Sequence, residues 1–301
     1  MATPDFLLHV KKALMAVYGA LERQGDDVRR QLKAKQDIST VGDATANNAL
    51  VEYFRSSGLP LVMYTEELAE PLNLSEKPKY AVIADDVDGT ANQSYGFGML
   101  PHGPVVGIAD NPDPKFSDMQ AAGFLEINSG NLFYAAKGKG AFLIEGFARR
   151  NAESRRLRSS GVKKLADAKN VIADVYMLGN LTPVFSPLVL KRGGDFRSKA
   201  THFALVAAGS IDIFILADNA PNPKKRSRGE EIGPLYLLMK EAGCAVLDWD
   251  GTDLGSQKVG MAEGKVLHYV AAATEPLAKE FLSWMRKQPE VNEYLKKKHL
   301  R

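Results

Sequence analysis

Residues 83–90 read Ile-Ala-Asp-Asp-Val-Asp-Gly-Thr, an apolar run that ends in three carboxylates around one valine and then meets a glycine. Upstream, residues 63–67 (Met-Tyr-Thr-Glu-Glu) close a second apolar run in the same way. Grouped carboxylates are hard oxygen donors, which suit magnesium and its near-octahedral demand. Two such ions about 3.5–4 Å apart can lower the pKa of an attacking water and neutralise the leaving oxygen of a phosphate ester. Alternation along an extended chain puts Asp85 and Val87 on one face, and a turn at Gly89 swings Asp88 toward the same pocket. Asp85 can then bridge two ions, the Val87 carbonyl can ligate the first, and Asp88 the second. Gly89 and Thr90 open a helix or turn whose amides can receive phosphate oxygens.

The elements that must position these groups are written in the hydrophobic periodicity. Phe6, Val10, Leu14, Val17 and Leu21 recur at helical spacing, which predicts an amphipathic helix over roughly the first thirty residues. A second helix is expected over 43–58, from Asp43 to a stop at Gly58. Residues 59–67 and 79–89, rich in Val, Ile and Tyr, read as buried strands with acids at their ends. Segments 105–111, 120–128, 131–144 and 169–177 continue the strand series. Few helices intervene, so a largely antiparallel or mixed sheet is expected. Further on come a helix at 201–210, a strand at 211–216, a polar loop, a helix at 232–243, a hairpin at 244–255 and a helical C-terminal segment.

Taken in order, these pieces resemble the inositol monophosphatase and fructose-1,6-bisphosphatase superfamily. The acidic loop is similar to its D-x-[IL]-D-G-T motif and 63–67 to its paired-glutamate strand end. Residues 135–142 resemble its glycine hairpin, 204–212 its helix-to-strand segment and 241–251 its Glu-Ala-Gly hairpin, so the likeness runs over about residues 4–275. It implies an α/β (α+β) fold, a layered α-β-α-β-α sandwich, here divided as 1–145 and 146–301, and a homodimer. It also implies hydrolysis of a small phosphorylated metabolite with Mg2+, two or three ions. By the resemblance Glu66, Asp85 and Val87 hold the first ion, while Asp85, Asp88 and Glu231 hold the second. Glu66, Asp43 and Thr90 are the catalytic set, with Thr90 and Asp43 orienting the water. Asp88, Gly89 and Thr90 face the phosphate, and Arg197 and Ser198 line the mouth. The chain departs from the pattern at Glu231, where an Asp is usual, at Asp86, where a Pro is usual, and at Ile215, where an acid contacts inositol.

Two other readings stand beside this one. Read one residue along, Asp86-Val87-Asp88-Gly89-Thr90 resembles the nucleophile loop of haloacid dehalogenase phosphatases, in which Asp86 would attack phosphorus. Against it, the loop lies far from the N-terminus, Ala91-Asn92-Gln93 come directly after it, and 193–199 is the nearest counterpart of the later lysine motif. The departures at Glu231 and Asp86 also admit a weakened catalyst that binds a phosphometabolite or a protein partner. The repeat of the motif at 248–252 needs only a type I′ turn at Asp250-Gly251. Glu67 and Asp86 are expected in an outer shell or at the surface. Lys224, Lys225, Arg226 and Arg228 form a basic cluster that can grip a second phosphate or simply be solvated.

The bulk numbers set few limits beyond these. A net charge of +3 from 39 basic and 36 acidic residues gives no global field for a nucleic acid polymer or a membrane. With 45% hydrophobic and 25% charged residues the chain reads as an ordinary globular protein. The single cysteine, Cys244, can form no intrachain disulfide, and with no apolar leader the chain reads as cytoplasmic. The five histidines fall in unrelated segments without metal spacing.

Overall fold

The computed structural model describes residues 4–24, 41–68, 70–95, 99–149, 151–174, 178, 181–189, 195–217, 228–260 and 267–299. The first helix, α1 (Phe6–Gln24), buries the predicted stripe of Phe6, Val10, Leu14, Val17 and Leu21. The remainder of its expected length lies outside the described residues. Helix α2 (Val41–Ser56) comes next, then strands β1 (Leu61–Thr65), β2 (Leu72–Asn73) and β3 (Tyr80–Asp88), the short helix α3 (Thr90–Tyr95) and strand β4 (Gly103–Ala109). Strands β5 (Met119–Glu126), β6 (Asn131–Ala136), β7 (Gly140–Ile144) and β8 (Ser154–Arg156) complete an eight-stranded sheet in the order β2-β1-β3-β4-β5-β6-β7-β8. Among the described residues, only β1 and β3 run parallel in it.

The second half supplies β9 (Val171–Ala173), α4 (Thr182–Val189), α5 (Lys199–Ala207), β10 (Ile213–Ala217), α6 (Gly229–Glu241), β11 (Ala245–Asp248), β12 (His268–Ala272), α7 (Glu275–Met285) and α8 (Pro289–His299). Its four strands form a smaller sheet in the order β11-β12-β10-β9.

Alternation along the strands separates the apolar interior into three cores. Leu61 and Met63 of β1, with Val82 and Ala84 of β3, face α1 and α2. Val62, Ala81 and Ile83 face the other way, onto α5, α6 and one side of the small sheet. Ile213, Ile215 and Ala217 of β10 pack on its far side against α7 and α8. The outcome is the expected α-β-α-β-α layering, with α5 and α6 as the middle layer. Each sheet offers both faces to helices, so β3, between β1 and β4, is buried from Ala81 to Asp88.

Two local expectations are corrected. Asp88 reaches the pocket because of a bulge ahead of Gly89: Asp85 pairs with Val105 but Asp88 with Gly103, so β3 carries one extra residue against β4. An extra residue breaks the two-residue alternation and re-aims the side chains beyond it. At 248–252 the turn is not type I′, which needs positive φ at both central residues. Gly251 alone has it (φ 92°), and the Gly251 N–H donates to the Asp248 carbonyl at 2.9 Å while the Asp248 N–H donates to Thr252. That is a type I turn closed by a glycine bulge.

Candidate metal centre

The parallel pair β1 and β3 ends at one edge, and there the chain delivers Glu66 just past β1 and Asp85 to Asp88 at the end of β3. The first turns of α2, α3, α5 and α6 bring Asp43, Thr90, Lys199 and Glu231. Helix N-termini carry unsatisfied amides and a partial positive charge, so their convergence favours an anion. Gly89 makes the sharp exit from β3 possible. Its φ is +85°, and an added Cβ would lie 3.1 Å from the Pro101 carbonyl oxygen and 3.3 Å from the Ser198 Cβ.

Carboxylate oxygens of Glu66, Asp85 and Glu231 all lie within 4.8 Å of one another. Asp85 is buried, and its Oδ1 has no hydrogen-bond partner. Burial pushes the Glu66 and Asp85 carboxyls well above the usual carboxylate range; the charge of Glu231 adds to it at Glu66, and the charges of Glu66, Asp88 and Glu231 add to it at Asp85. Three converging acids with an orphaned oxygen require protons or a cation between them. The residues therefore fit a divalent ion with oxygen preference.

Asp88 differs. Its Oδ2 accepts the Ser198 hydroxyl at 2.5 Å and the Ala200 N–H at 3.0 Å, and its Oδ1 accepts the Lys199 N–H at 3.2 Å. Burial raises its pKa to about 6 in spite of those donors and of the Lys199 charge. Thr90 Oγ1 sits 3.3 Å from Asp43 Oδ1 and 3.0 Å from the Val87 carbonyl oxygen, so the catalytic pair expected from sequence is in contact.

Other predicted residues hold the site together from behind. Arg228 Nη1 donates to the Glu66 carbonyl at 2.9 Å, and its own N–H donates to Glu231 Oε2 at 3.2 Å. Ser198 is 2% exposed and caps α5 by accepting the Thr201 N–H, so its hydroxyl is committed to Asp88 and to the helix. Arg197 is exposed at positive φ (51°), with its N–H on Asp195. Lys224, Lys225 and Arg226 lie outside the described residues. Asp86 is not at the surface: it has no exposed area, and its Oδ2 accepts the Thr65 hydroxyl at 2.6 Å. A carboxylate so enclosed presents no face to an incoming ester.

The residue that sequence reading missed is Lys199. Its Nζ lies 2.6 Å from Glu231 Oε2, with the two side chains 15% and 12% exposed. Burial works against the ammonium, but Glu231 outweighs it and holds the lysine pKa above its ordinary value. A signal was available: a lysine opening a helix meets the wrong end of the dipole and needs an anion.

Comparison with known proteins gives a consistent set of likenesses. A family model described as the inositol monophosphatase family matches residues 7–281. A bifunctional NADP phosphatase/NAD kinase of Methanococcus maripaludis is 27% identical over 203 residues, which are 64% of this chain and 34% of that protein. The chain thus spans about a third of that relative's length. A fructose-1,6-bisphosphatase/inositol-1-monophosphatase of Methanothermobacter thermautotrophicus is 26% identical, covering 70% of this chain and 71% of that protein. Among solved structures, the IMPase of Thermotoga maritima superposes with a TM-score of 0.68 at 20% identity, over 98% of this chain and 99% of that one. Its likeness is one of fold.

Proposed function

The chain belongs to the inositol monophosphatase family, a family of phosphoric monoester hydrolases, and from that premise we propose that it hydrolyses a small phosphate monoester with a metal-activated water. The observation that carries this is the convergence of Glu66, Asp85 and Glu231 around an Asp85 oxygen that has no partner. Glu66, Asp85 and the Val87 carbonyl would hold magnesium. When bound, the ion supplies a water of lowered pKa and offsets charge on the phosphoryl oxygens.

The chain's own groups do the rest. With its proton directed at Asp43 or the Val87 carbonyl, Thr90 Oγ1 keeps a lone pair with which to orient the water, and Asp43 receives the proton. Gly89 and Thr90, at the start of α3, offer amides to the phosphate. Asp85, Asp88 and Glu231 would hold the positive charge that offsets the leaving oxygen. Ile215, where the resemblance puts an inositol-contacting acid, faces α7 and α8 on the sheet side opposite α5 and α6, so it does not discriminate between substrates. The candidate substrates come from the relatives, one named for NADP and one for both fructose-1,6-bisphosphate and inositol 1-phosphate.

The test is phosphate release with Mg2+ from fructose 1,6-bisphosphate, NADP, 3′-phosphoadenosine 5′-phosphate and myo-inositol 1-phosphate, with Asp85→Asn as control. Turnover abolished by chelator and by the control is expected. Turnover that survives both refutes the metal reading. A second reading, a phosphometabolite-binding protein with weak catalysis, is favoured by one observation, the Lys199 ammonium on Glu231. Tight substrate binding with no turnover at saturating Mg2+ would select it.

A further inference from the structure

We propose that Lys199 takes the place of the second divalent cation, so that the site pairs one metal ion with one ammonium. This rests on the phosphatase reading above and concerns only which positive charge faces the leaving oxygen.

The donor inventory divides the carboxylates into two classes. Asp85 Oδ1 is buried with no partner and is open to an ion. Around the second position most of the Asp88 lone pairs and the Oε2 oxygen of Glu231 are taken. Glu231 Oε2 already accepts the Lys199 ammonium at 2.6 Å and the Arg228 N–H at 3.2 Å. Asp88 accepts three donors, from Ser198, Lys199 and Ala200. A carboxylate has about four lone-pair sites in all, so Asp88 has one left and Oε2 of Glu231 none. Magnesium binds at short range in near-octahedral geometry, and in a place between Asp88 and Glu231 it would stand against the Lys199 ammonium already seated on Glu231 Oε2.

Lys199 is built into that place. As the first residue of α5 it stands where the helix dipole opposes a cation, so it is the Glu231 carboxylate that holds it there. Glu231 in turn is the third residue of α6 and reaches back to the Arg228 N–H. The longer glutamate arm spans both partners at once, and Glu231 and Lys199 form one unit. Among the described residues, Glu231 accounts for one of the three ammonium N–H donors, which leaves two for an ester oxygen.

In the reaction the water oxygen bonds to phosphorus and the P–O ester bond breaks, its electron pair going to the leaving oxygen. That oxygen is received by Lys199 N–H donors and takes its proton from solvent. The water's proton leaves through Thr90 and Asp43, and the products are an alcohol and inorganic phosphate.

The experiment counts ions rather than turnovers. Mn2+ bound to the full chain is measured by equilibrium dialysis and native mass spectrometry for wild type, Lys199→Met and Lys199→Ala. We expect one Mn2+ per chain in wild type and two in the lysine variants, with turnover at one bound ion reduced about 100-fold. Two ions in wild type overturn the proposal, as does a count of one in both variants. If a variant fails to fold, the other carries the comparison. If wild type binds no ion, the metal-phosphatase reading itself falls, an outcome distinct from failure of the lysine assignment.

Discussion

Removing divalent ions should set the protein's own carboxylates against its fold, and the effect has a definite pH signature. Asp88 is buried, and its pKa is raised from 3.8 to about 6. An acid with a raised native pKa binds more protons folded than unfolded, so stability falls as pH rises between the two values. A shift from 3.8 to about 6 corresponds to about 3 kcal/mol across the whole window. Roughly half of that falls between pH 5 and pH 7.5, because at pH 5 the unfolded chain has already lost the proton that the folded chain keeps. Glu66, Asp85 and Asp86 are raised in the same direction by burial, so they add to the decline.

The assay is urea unfolding of chelator-treated protein from about pH 5 to pH 8, repeated with excess Mg2+. Metal-free stability should drop by about 1.5 kcal/mol or more over that range. Asp88→Asn should remove its own share of the slope, whatever it does to the absolute stability. Mg2+ should stabilise more at pH 8 than at pH 5, since it binds the deprotonated oxygens and at 100-fold excess over its Kd adds about 2.7 kcal/mol. Metal-free stability that is flat or rises from pH 5 to pH 8 would refute the reasoning. So would a magnesium effect that is larger at pH 5.

Three further outcomes are expected. Asp85→Asn should cut phosphate release at least about 100-fold and at the same time stabilise the chelated protein at pH 8; a loss of activity together with a loss of metal-free stability would point to damage rather than chemistry. Thr90→Val removes the hydroxyl that touches Asp43 and should lower kcat about 100-fold, while the Mg2+ affinity read by calorimetry stays at the wild-type value. Gly229→Ala places a Cβ 2.1 Å from the Val259 carbonyl oxygen, so the start of α6 must move. A loss of about 1–3 kcal/mol, read by thermal unfolding, should accompany weaker metal binding, because Glu231 lies two residues on.

Features that are repeated or local were legible in the sequence. The stripe from Phe6 to Leu21, the apolar runs that end at Glu66 and Asp88, and the helix-to-strand segment at 204–212 each announce themselves by period or by order. Features that stayed hidden depend on partners distant in the chain. The bulge between Asp85 and Asp88 exists only against the register of β4. Asp86 stands after one acid and before a turn, which reads as polar surface; the neighbours β1 and β4 enclose it. The Lys199–Glu231 contact joins residues 32 apart, and no periodicity links them.

Glu231 shows how a local departure changes meaning once its partner is known. On the sequence alone its extra methylene is a misfit, to be absorbed by a backbone shift or an intervening water. In the fold the same methylene lets one carboxylate accept the Arg228 amide and the Lys199 ammonium together. Shortening the arm to aspartate would restore the usual ligand type and yet break the reach to Lys199, leaving a buried ammonium without its counter-charge. Since stranding one partner of a buried pair costs about 3–5 kcal/mol, Glu231→Asp alone should destabilise the protein, and Glu231→Asp combined with Lys199→Ala should recover most of that loss. If the two substitutions simply add in urea unfolding, the residues are not the coupled unit that the geometry describes.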